Sequence, residues 1–289
     1  MNVFFFGMGY SSQAAARAIF AHDGEAIIAG TSRTREGAAA LTRQDISAHM
    51  FDGTAPGHTL GTELRNATHV VLSIAPDEAG DPALVHHRAD LDAAGNLAWL
   101  CYYSTVGVYG DFGGAWIDET APLVPRNPRS DRRVLAERAW RDYAAERGIP
   151  LTILRLAGIY GPGRSTFDKL ADGTSRRIVK PGQVFNRIHV ADIGRVTALA
   201  AVERLDGTFN LADDEPAPPQ DVIAHAAAML GVTPPPELPF ETAELTPMQR
   251  SFYADNKRVS NAAIKSALGI DLLFPNYRDG LADCLARRS

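Results

Sequence analysis

Two glycines near the N-terminus have a spacing that suits phosphate binding. The segment Gly7-Met8-Gly9-Tyr10-Ser11-Ser12 follows the apolar run Val3–Phe6 and precedes a helix-like stretch, Gln13–Ala21. Glycines at a strand-to-helix turn let the backbone approach a pyrophosphate, which then lies on the helix N-terminus. Ser12 stands where a third glycine is usual, and serine is small enough for close helix packing. The segment predicts a dinucleotide site, with an ordinary tight turn as the alternative.

The residues after the second predicted strand indicate which dinucleotide binds. That strand is Glu25–Thr31, and Ser32-Arg33-Thr34 follows it. NAD-binding proteins usually place an acidic residue about 20 positions beyond the glycines, where it binds the ribose 2′-hydroxyl. Here a hydroxyl and a guanidinium replace the acid, and arginine contacts phosphate at two points. The sequence therefore favours NADP over NAD, with a solvated loop arginine as the alternative.

Strands and helices alternate from residue 1 to about 155, which predicts right-handed crossovers and a parallel sheet. After that the alternation loosens, and two proline-rich patches flank a predicted helix, Gln220–Leu230. The other elements predicted from the pattern are strands Ile46–Phe51 and His69–Ile74 and helices Ala83–Ala94, Arg132–Arg147 and Ile193–Glu203.

Three motifs follow one another in a specific order along the chain. An apolar strand, Leu97–Tyr103, leads into Tyr103–Gly110; Leu151–Gly163 ends in Tyr-Gly-Pro-Gly; and Arg187–Ile193 contains His-Val-Ala-Asp. Together with the tail that begins Asn256-Lys257-Arg258, they resemble the NAD-dependent epimerase/dehydratase family of the extended short-chain dehydrogenase/reductase superfamily. The resemblance covers essentially the whole chain. It implies an α/β fold, a Rossmann-type doubly wound parallel sheet with a smaller C-terminal substrate lobe.

We divide the chain on this basis into a dinucleotide-binding Rossmann domain, residues 1–155, and a mainly substrate-binding lobe, residues 156–289, with segments that return to the main sheet. The family's catalytic couple is a Tyr and a Lys four positions apart. Aligning Glu137 with the family's usual Glu puts Arg129 at the Tyr position and Arg133 at the Lys position. Arginine stays protonated and cannot donate a proton. The chain is therefore expected to form an atypical branch, in which proton transfer would need Tyr109, Tyr160 or a substrate-bound water.

The remaining site residues are implied by the resemblance alone. Thr105 would hold the substrate oxygen, and Arg187 would contact a substrate phosphate if the substrate is nucleotide-sugar-like. Asp52 would lie at the adenine, with a simple turn aspartate as its alternative. Other positions would line the cofactor: Ala75, Pro76, Ser104, Arg133, Leu156 and Ala157. His189 and Asp192 are expected to be structural, a histidine bonded at a strand end and an aspartate that starts a helix.

The composition bounds the partners. A net charge of −5 with dispersed Lys and Arg does not favour nucleic acid. His86 and His87 lack a ligand partner at a convincing spacing, so we expect exposed helix histidines and no metal. Two cysteines predict no disulfide framework. The absence of a signal peptide and of a long apolar run predicts a cytoplasmic protein and no membrane partner. By the resemblance, a homodimer would form through residues 83–94 and 132–147.

Three functions are compatible with these features. The first is an NADP-dependent oxidoreductase or epimerase with a non-standard acid/base set, acting on an unidentified small molecule. The second is a non-catalytic NADP(H)-binding redox sensor, because loss of the catalytic Tyr with retention of the cofactor loop fits that role. The third is a structural protein on a relic scaffold, against which the glycine loop and Arg33 argue.

Overall fold

The computed structural model describes residues 1–288, which form an α/β fold. The strands are β1 Asn2–Phe6, β2 Ile27–Ser32, β3 Ser47–Met50, β4 His69–Leu72, β5 Trp99–Thr105, β6 Trp116–Ile117, β7 Leu151–Leu156, β8 Gly158–Tyr160, β9 Arg177–Val179, β10 Arg187–His189, β11 Gly207–Leu211, β12 Glu237–Pro239 and β13 Arg258–Val259. The helices are α1 Tyr10–His22, α2 Arg35–Thr42, α3 Gly61–Asn66, α4 Pro82–Asp92, α5 Pro128–Arg147, α6 Thr166–Ala171, α7 Val190–Glu203, α8 Pro219–Met229, α9 Pro247–Phe252, α10 Ala262–Leu268 and α11 Tyr277–Ala286. A 3₁₀ helix, Val106–Tyr109, follows β5 directly.

The central sheet has seven strands within residues 1–288, in the order β11-β7-β5-β4-β1-β2-β3. Strand β1 lies between β2 and β4 and is parallel to both, with Phe4 opposite Ala29 on one side and Val70 on the other. The strand order reverses at β1, and in open α/β sheets ligands bind beyond the carboxyl ends of the strands at such a point. The predicted Rossmann-type parallel sheet is confirmed.

The chain divides into two compact units by its internal contacts. Unit 1 comprises residues 1–105, 128–155 and 193–209, and unit 2 comprises residues 106–127, 156–192 and 210–289. Unit 1 contains most of the central sheet, whereas unit 2 contains the two-stranded sheets β10-β8, β12-β9 and β13-β6. The functional division at residue 155 that the sequence suggested stays a prediction. Each compact unit contains segments from both sides of that residue.

The core of unit 1 explains why its strands are almost wholly apolar. Phe4, Phe5 and Phe6 of β1 are each fully buried, because helices cover both faces of a parallel sheet. Trp140 and Tyr143 of α5 pack against this sheet in one cluster with Leu100 and Tyr102 of β5. The long apolar stripe of α5 is therefore explained mainly by burial in the core.

Two local expectations from the sequence were wrong. Helix α1 begins at Tyr10 rather than at Gln13, so the glycine loop leads into the helix without a spacer. His87 is 1% exposed rather than solvated, because α4 is non-helical at this residue and the ring packs 5.0 Å from Phe51. Its Nε2 accepts a hydrogen bond from the Gly57 amide, and half-buried His86 contacts the Gly53 carbonyl.

No helix among residues 1–288 is long and apolar enough to cross a bilayer.

Candidate functional site

The glycine loop lies between β1 and α1 at the carboxyl edge of the sheet. Gly7 has a φ of +89°, a conformation that disfavours other residues, and its amide donates to Thr31 Oγ1 at 2.8 Å. A Cβ added at Gly7 would meet Ile74 Cγ2 at 3.3 Å, whereas one added at Gly9 would have nothing within 4 Å. Gly7 thus shapes the loop, and exposed Gly9 leaves the space beside it open.

The first turn of α1 directs backbone amides toward this open space. Gly9 is the N-cap residue, and no side chain caps the helix. The helical hydrogen bonds begin with Gln13, whose amide donates to the Gly9 carbonyl at 2.9 Å. The amides of Ser11 and Ser12 precede that bond and stand outside the helical ladder. Ser12 is fully buried, and its hydroxyl has no hydrogen-bond partner among residues 1–288. An anion such as a pyrophosphate fits this helix terminus.

The end of β2 carries a cation beside the loop. Arg33 is exposed and lies between half-buried Ser32 and Thr34, the N-cap of α2, whose hydroxyl accepts from the Gly37 amide at 3.0 Å. A Cβ at Gly37 would come within 2.2 Å of Ser32 Oγ, so a side chain there would have to displace the Ser32 hydroxyl. Arg35, the first residue of α2, is a second exposed cation that the motif-based reasoning missed. Its position at the N-terminus of α2 could have revealed it.

Other predicted cofactor positions lie at the same sheet edge. Asp52 follows β3, and its Oδ1 accepts from the Thr54 amide at 2.9 Å and the Thr54 hydroxyl at 2.8 Å. These two bonds close a turn and lower the pKa of Asp52, whose side chain is exposed. Ala75 and Pro76 follow β4; Ala75 is exposed and Pro76 is half-buried. The parallel sheet thus brings the loops after β1, β2, β3 and β4 to one edge.

Ser104, predicted to contact the cofactor, instead bonds to a buried carboxylate. Its hydroxyl donates to Glu137 Oε1 at 2.6 Å. Arg155 donates to the same carboxylate from Nε at 3.1 Å and from Nη2 at 2.8 Å. Burial opposes ionisation of Glu137, but the bonds from Arg155 and Ser104 more than offset that effect, and its pKa is lowered. This network joins β5, α5 and β7, and we leave Ser104 out of the proposed cofactor site.

Helix α5 gives different surroundings to Arg129 and Arg133, the two arginines that the sequence aligns with the family's catalytic positions. Arg129 is exposed in the first turn of α5. Arg133 is half-buried, and its Nη1 donates to the Tyr103 carbonyl at 2.6 Å and to the Tyr102 hydroxyl at 3.1 Å. Arg133 therefore fixes the carboxyl end of β5. Thr105, the last residue of β5, is half-buried at that end.

The geometry does not favour either tyrosine as a proton donor. Tyr109 is fully buried, and its hydroxyl donates to Asn210 Oδ1 at 2.7 Å. Tyr160 is 9% exposed, and its hydroxyl has no hydrogen-bond partner among residues 1–288. Burial, reinforced by the charge of Asp213, raises the pKa of Tyr160 far above its usual value. A general acid or base works best with a pKa near the working pH, so we omit both residues from the proposed proton-transfer set.

The remaining predicted residues belong to unit 2. Leu156 and Ala157 are buried, and the Ala157 amide donates to the Leu211 carbonyl at 3.0 Å. Arg187, on β10, lines a pocket of about 1050 Å³ that is built entirely from unit 2 residues. The sequence had not indicated Asp213, whose nearby charge acts on Arg187 and whose own pKa is raised by burial to about 8. Nothing in its local sequence separates it from a loop aspartate.

His189 and Asp192 have structural surroundings in unit 2. His189 is buried, its Nδ1 accepts from the Ala191 amide at 3.3 Å, and burial lowers its pKa to about 4. Asp192 accepts from the amides of Leu273 at 2.6 Å and Phe274 at 3.0 Å. The aspartate lies in the first turn of α7, and its two bonds hold the segment before α11.

The chain is similar in sequence to one protein family and to one curated reductase. The model of the NAD dependent epimerase/dehydratase family matches residues 87–212. A reductase from a Streptomyces species, the 3-diazoavenalumate denitrifying reductase, is 29% identical over 182 residues, which are 57% of this chain and 58% of that protein. The match thus spans little more than half the length of this curated relative.

Two solved structures share the fold over nearly the whole chain. A conserved protein of unknown function from Silicibacter pomeroyi is 45% identical, with a TM-score of 0.89 over 99% of this chain and 98% of that one. A human epimerase family protein in complex with NADPH is 17% identical, with a TM-score of 0.73 over 99% of this chain and 100% of that one. At that identity the human structure supports the fold alone.

Proposed function

We propose that this chain, which belongs to the NAD-dependent epimerase/dehydratase family, is an NADP(H)-dependent oxidoreductase that reduces a small molecule without a Tyr–Lys couple. The observation that carries the proposal is the pair of exposed cations at the end of β2, Arg33 and Arg35, which stand where an acidic ribose ligand would bind NAD. The open glycine loop beside them supplies the pyrophosphate site.

The residues of unit 1 fit the cofactor. The open space at Gly9 and the amides of Ser11 and Ser12 suit a pyrophosphate, and Arg33 with Ser32 suits a 2′-phosphate. NADPH bound there would supply a hydride, which is a proton with two electrons, and would be released as NADP⁺. Thr105 offers a hydroxyl at the carboxyl end of β5, and Arg133 fixes the backbone just before it through the Tyr103 carbonyl.

Reduction suits this residue set better than epimerisation or dehydration. Those reactions begin by taking a proton from a substrate hydroxyl, for which a side chain with a near-neutral pKa is needed. Exposed Arg129 and bonded Arg133 cannot serve as that base. An electrophile can accept a hydride at carbon, and any oxygen or nitrogen anion so formed can take its proton from water. The name of the Streptomyces relative, a reductase, supports this direction.

A second function, an NADP(H)-binding redox sensor without turnover, is favoured by one observation. Tyr109 and Tyr160, which could replace the family's acid, are both buried, and the Tyr109 hydroxyl donates a hydrogen bond to Asn210. Such a protein keeps the cofactor loop and loses the chemistry. The two functions differ in whether hydride leaves the bound cofactor.

The test is isotope transfer from NADPH deuterated at nicotinamide C4 to a panel of enones, aldehydes and ketones, which accept the hydride at carbon and so keep the label in water. We expect deuterium in the reduced product by mass spectrometry. Thr105→Ala should slow the transfer about fivefold to tenfold, the worth of one hydrogen bond, and Thr105→Ser should retain it. Turnover that survives Thr105→Ala unchanged would place the reaction elsewhere.

A double variant separates the two functions. Arg129→Tyr with Arg133→Lys rebuilds the family's couple on α5. If the wild-type protein binds NADPH but transfers no deuterium to any acceptor, while the double variant does, the natural chain is a sensor that has lost the chemistry. Transfer by the wild-type protein supports the reductase.

A further inference from the structure

The pocket of unit 2 has a floor and a rim of different chemistry. Its floor includes buried or half-buried apolar residues and one charged side chain, together with two half-buried hydroxyl residues: Ile178, Phe185, Arg187, Val222, Leu245 and Tyr253, with Thr166 and Ser175. Its rim carries exposed cations, Lys169, Arg176 and Arg250. The amide and the carboxylate among the lining side chains, Gln249 and Glu244, are also exposed. The interior thus offers mainly apolar surface, a few hydroxyl groups and a guanidinium.

Arg187 is held in place but not neutralised. Its Nη1 donates to the carbonyls of Phe185 at 2.9 Å and Ala217 at 3.0 Å, which orient the guanidinium. Among residues 1–288 it has no ion-pair partner within 4.0 Å, in contrast to Arg155 and Glu137 at 2.8 Å. The carboxyl that acts on it most, Asp213, forms no ion pair with it within 4.0 Å, and burial raises the pKa of Asp213 to about 8. A partly buried cation without a counter-ion is an anion receptor.

Aromatic rings form the part of the floor beside Arg187. The rings of Phe185 and Tyr253 meet edge to face, with centroids 5.1 Å apart and planes at 64°. Phe240 lies 5.1 Å from Tyr253 and extends the cluster, which includes Ile178 and Leu245. Such a surface favours a flat apolar group.

The rim adds attraction without adding much selectivity. The Arg250 guanidinium lies 5.0 Å from the centroid of the Phe240 ring, and Arg176 Nη1 donates to the Glu244 carbonyl at 2.7 Å. Both cations are exposed, so water and salt screen their charge. They would draw anions toward the pocket, while Arg187 and the floor would decide which one stays.

We propose that this pocket binds a flat, largely apolar acid, an aromatic carboxylate, with the carboxylate on Arg187 and the ring on the Phe185–Tyr253 floor. A sugar nucleotide fits less well, because its hydroxyl groups would face apolar side chains at the floor. The inference rests on the proposed function only in taking the bound acid as the substrate of the reduction; the binding itself does not require the cofactor.

Cinnamate is a suitable probe, and cinnamamide is its uncharged match in shape. We expect calorimetry on the full chain to show cinnamate binding at least tenfold more tightly than cinnamamide and more tightly than UDP-glucose. Arg187→Gln should lower cinnamate affinity at least tenfold. Arg177→Gln is the matched control, because neighbouring Arg177 bonds to Glu237 at 2.9 Å and does not line the pocket. Equal affinities for cinnamate and cinnamamide, or tighter UDP-glucose binding, would overturn the proposal.

Methyl NMR tests the location without a variant, in case Arg187→Gln does not fold. In protein labelled at isoleucine methyl groups, cinnamate should shift Ile178 and Ile223, which line the pocket, and should leave Ile149 of unit 1 unmoved. Unmoved signals at Ile178 and Ile223 under saturating cinnamate would exclude this site. A parallel NADPH titration keeps the two proposals apart: cinnamate binding without NADPH binding would refute the proposed function alone, and the reverse would refute this inference alone.

Discussion

Arg33 is the side chain on which the cofactor preference depends. It is exposed at the end of β2, so its removal should not disturb the fold. We expect Arg33→Ala to weaken NADPH binding by about 1.5–3 kcal/mol, the worth of a charge-assisted contact, and to leave NADH binding unchanged. Calorimetric titration of both dinucleotides measures the difference.

The matched control is Arg43→Ala, which removes an exposed cation from the other end of α2. It should change neither affinity. An equal loss for NADPH and NADH in Arg33→Ala would show that Arg33 does not contact the 2′-phosphate, and the preference for NADP would then have no support in this loop.

At the same scale, the sequence predicted residue types better than their partners. Ser104 and Thr105 are adjacent hydroxyl residues after an apolar strand, and the motif treats them alike. Only the fold shows that Ser104 donates to Glu137, 33 positions away. Arg187 could be singled out from its motif, but the neighbouring Asp213 could not, because their proximity is set by tertiary structure.

Helix α5 is the element that links the site to the core of unit 1. Its Glu137 is fully buried and accepts from both Ser104 and Arg155. Removing one member of a buried ion pair leaves the other charge uncompensated, which costs about 3–5 kcal/mol. We therefore expect Glu137→Gln to lower the free energy of unfolding by about that amount, measured by urea denaturation.

Arg141 provides the comparison on the same helix. It pairs with Glu137 at 3.0 Å but is 42% exposed, so Arg141→Gln should cost less than about 1 kcal/mol. Similar losses in the two variants would mean that the buried pair contributes no more than a surface one.

The same helix bears on the homodimer, which stays a prediction. Arg88 of α4 pairs with Glu146 of α5 at 2.5 Å, while Leu135 of α5 and Val85 of α4 are 62% and 47% exposed. Exposed apolar side chains on both helices suit an interface between two copies. If the dimer forms there, Leu135→Glu should convert it to a monomer in sedimentation velocity, and exposed Leu273→Glu in unit 2 should not. A wild-type monomer would contradict the prediction.

Element boundaries show where pattern reasoning stops. The buried strands β1, β4 and β5 could be found from apolar runs, because such runs are long and uninterrupted in a parallel sheet. His87 could not be placed, since the local distortion of α4 that turns its ring toward Phe51 depends on packing between distant segments. The two compact units also follow contacts that no composition change marks.

On the scale of the whole molecule, two buried histidines should contribute to the pH dependence of stability. Burial lowers the pKa of His69 in unit 1 and of His189 in unit 2 from 6.5 to about 4. Between those values the unfolded chain binds more protons than the native one, so stability is lost as the pH falls from 6.5 toward 4. Each histidine alone should cost about 1–2 kcal/mol at pH 5 relative to pH 7. The buried carboxyls of Asp81 and Asp213, with pKa values raised to about 6 and about 8, oppose this loss over the same range, so the histidine contribution is read from a variant that lacks one imidazole.

Urea midpoints of the wild type and of His69→Gln, measured from pH 7 to pH 4.5, check this: His69→Gln should lose less stability than the wild type as the pH falls. The control is His22→Gln, at an exposed histidine. That variant should keep the wild-type pH dependence. A His69→Gln variant that keeps the wild-type pH dependence would mean that burial does not keep the His69 imidazole neutral.

The loop between β1 and α1 is the proposed binding site of the nicotinamide dinucleotide. The direct measurement is calorimetric titration of NADPH into the wild-type protein, Gly9→Val and the control Gly24→Val. A side chain at either glycine meets no neighbour within 4 Å, so both variants should fold as judged by circular dichroism. We predict that Gly9→Val abolishes binding, because the side chain fills the space that the pyrophosphate needs, and that Gly24→Val binds like the wild type. Undiminished NADPH binding by a folded Gly9→Val protein would contradict the account.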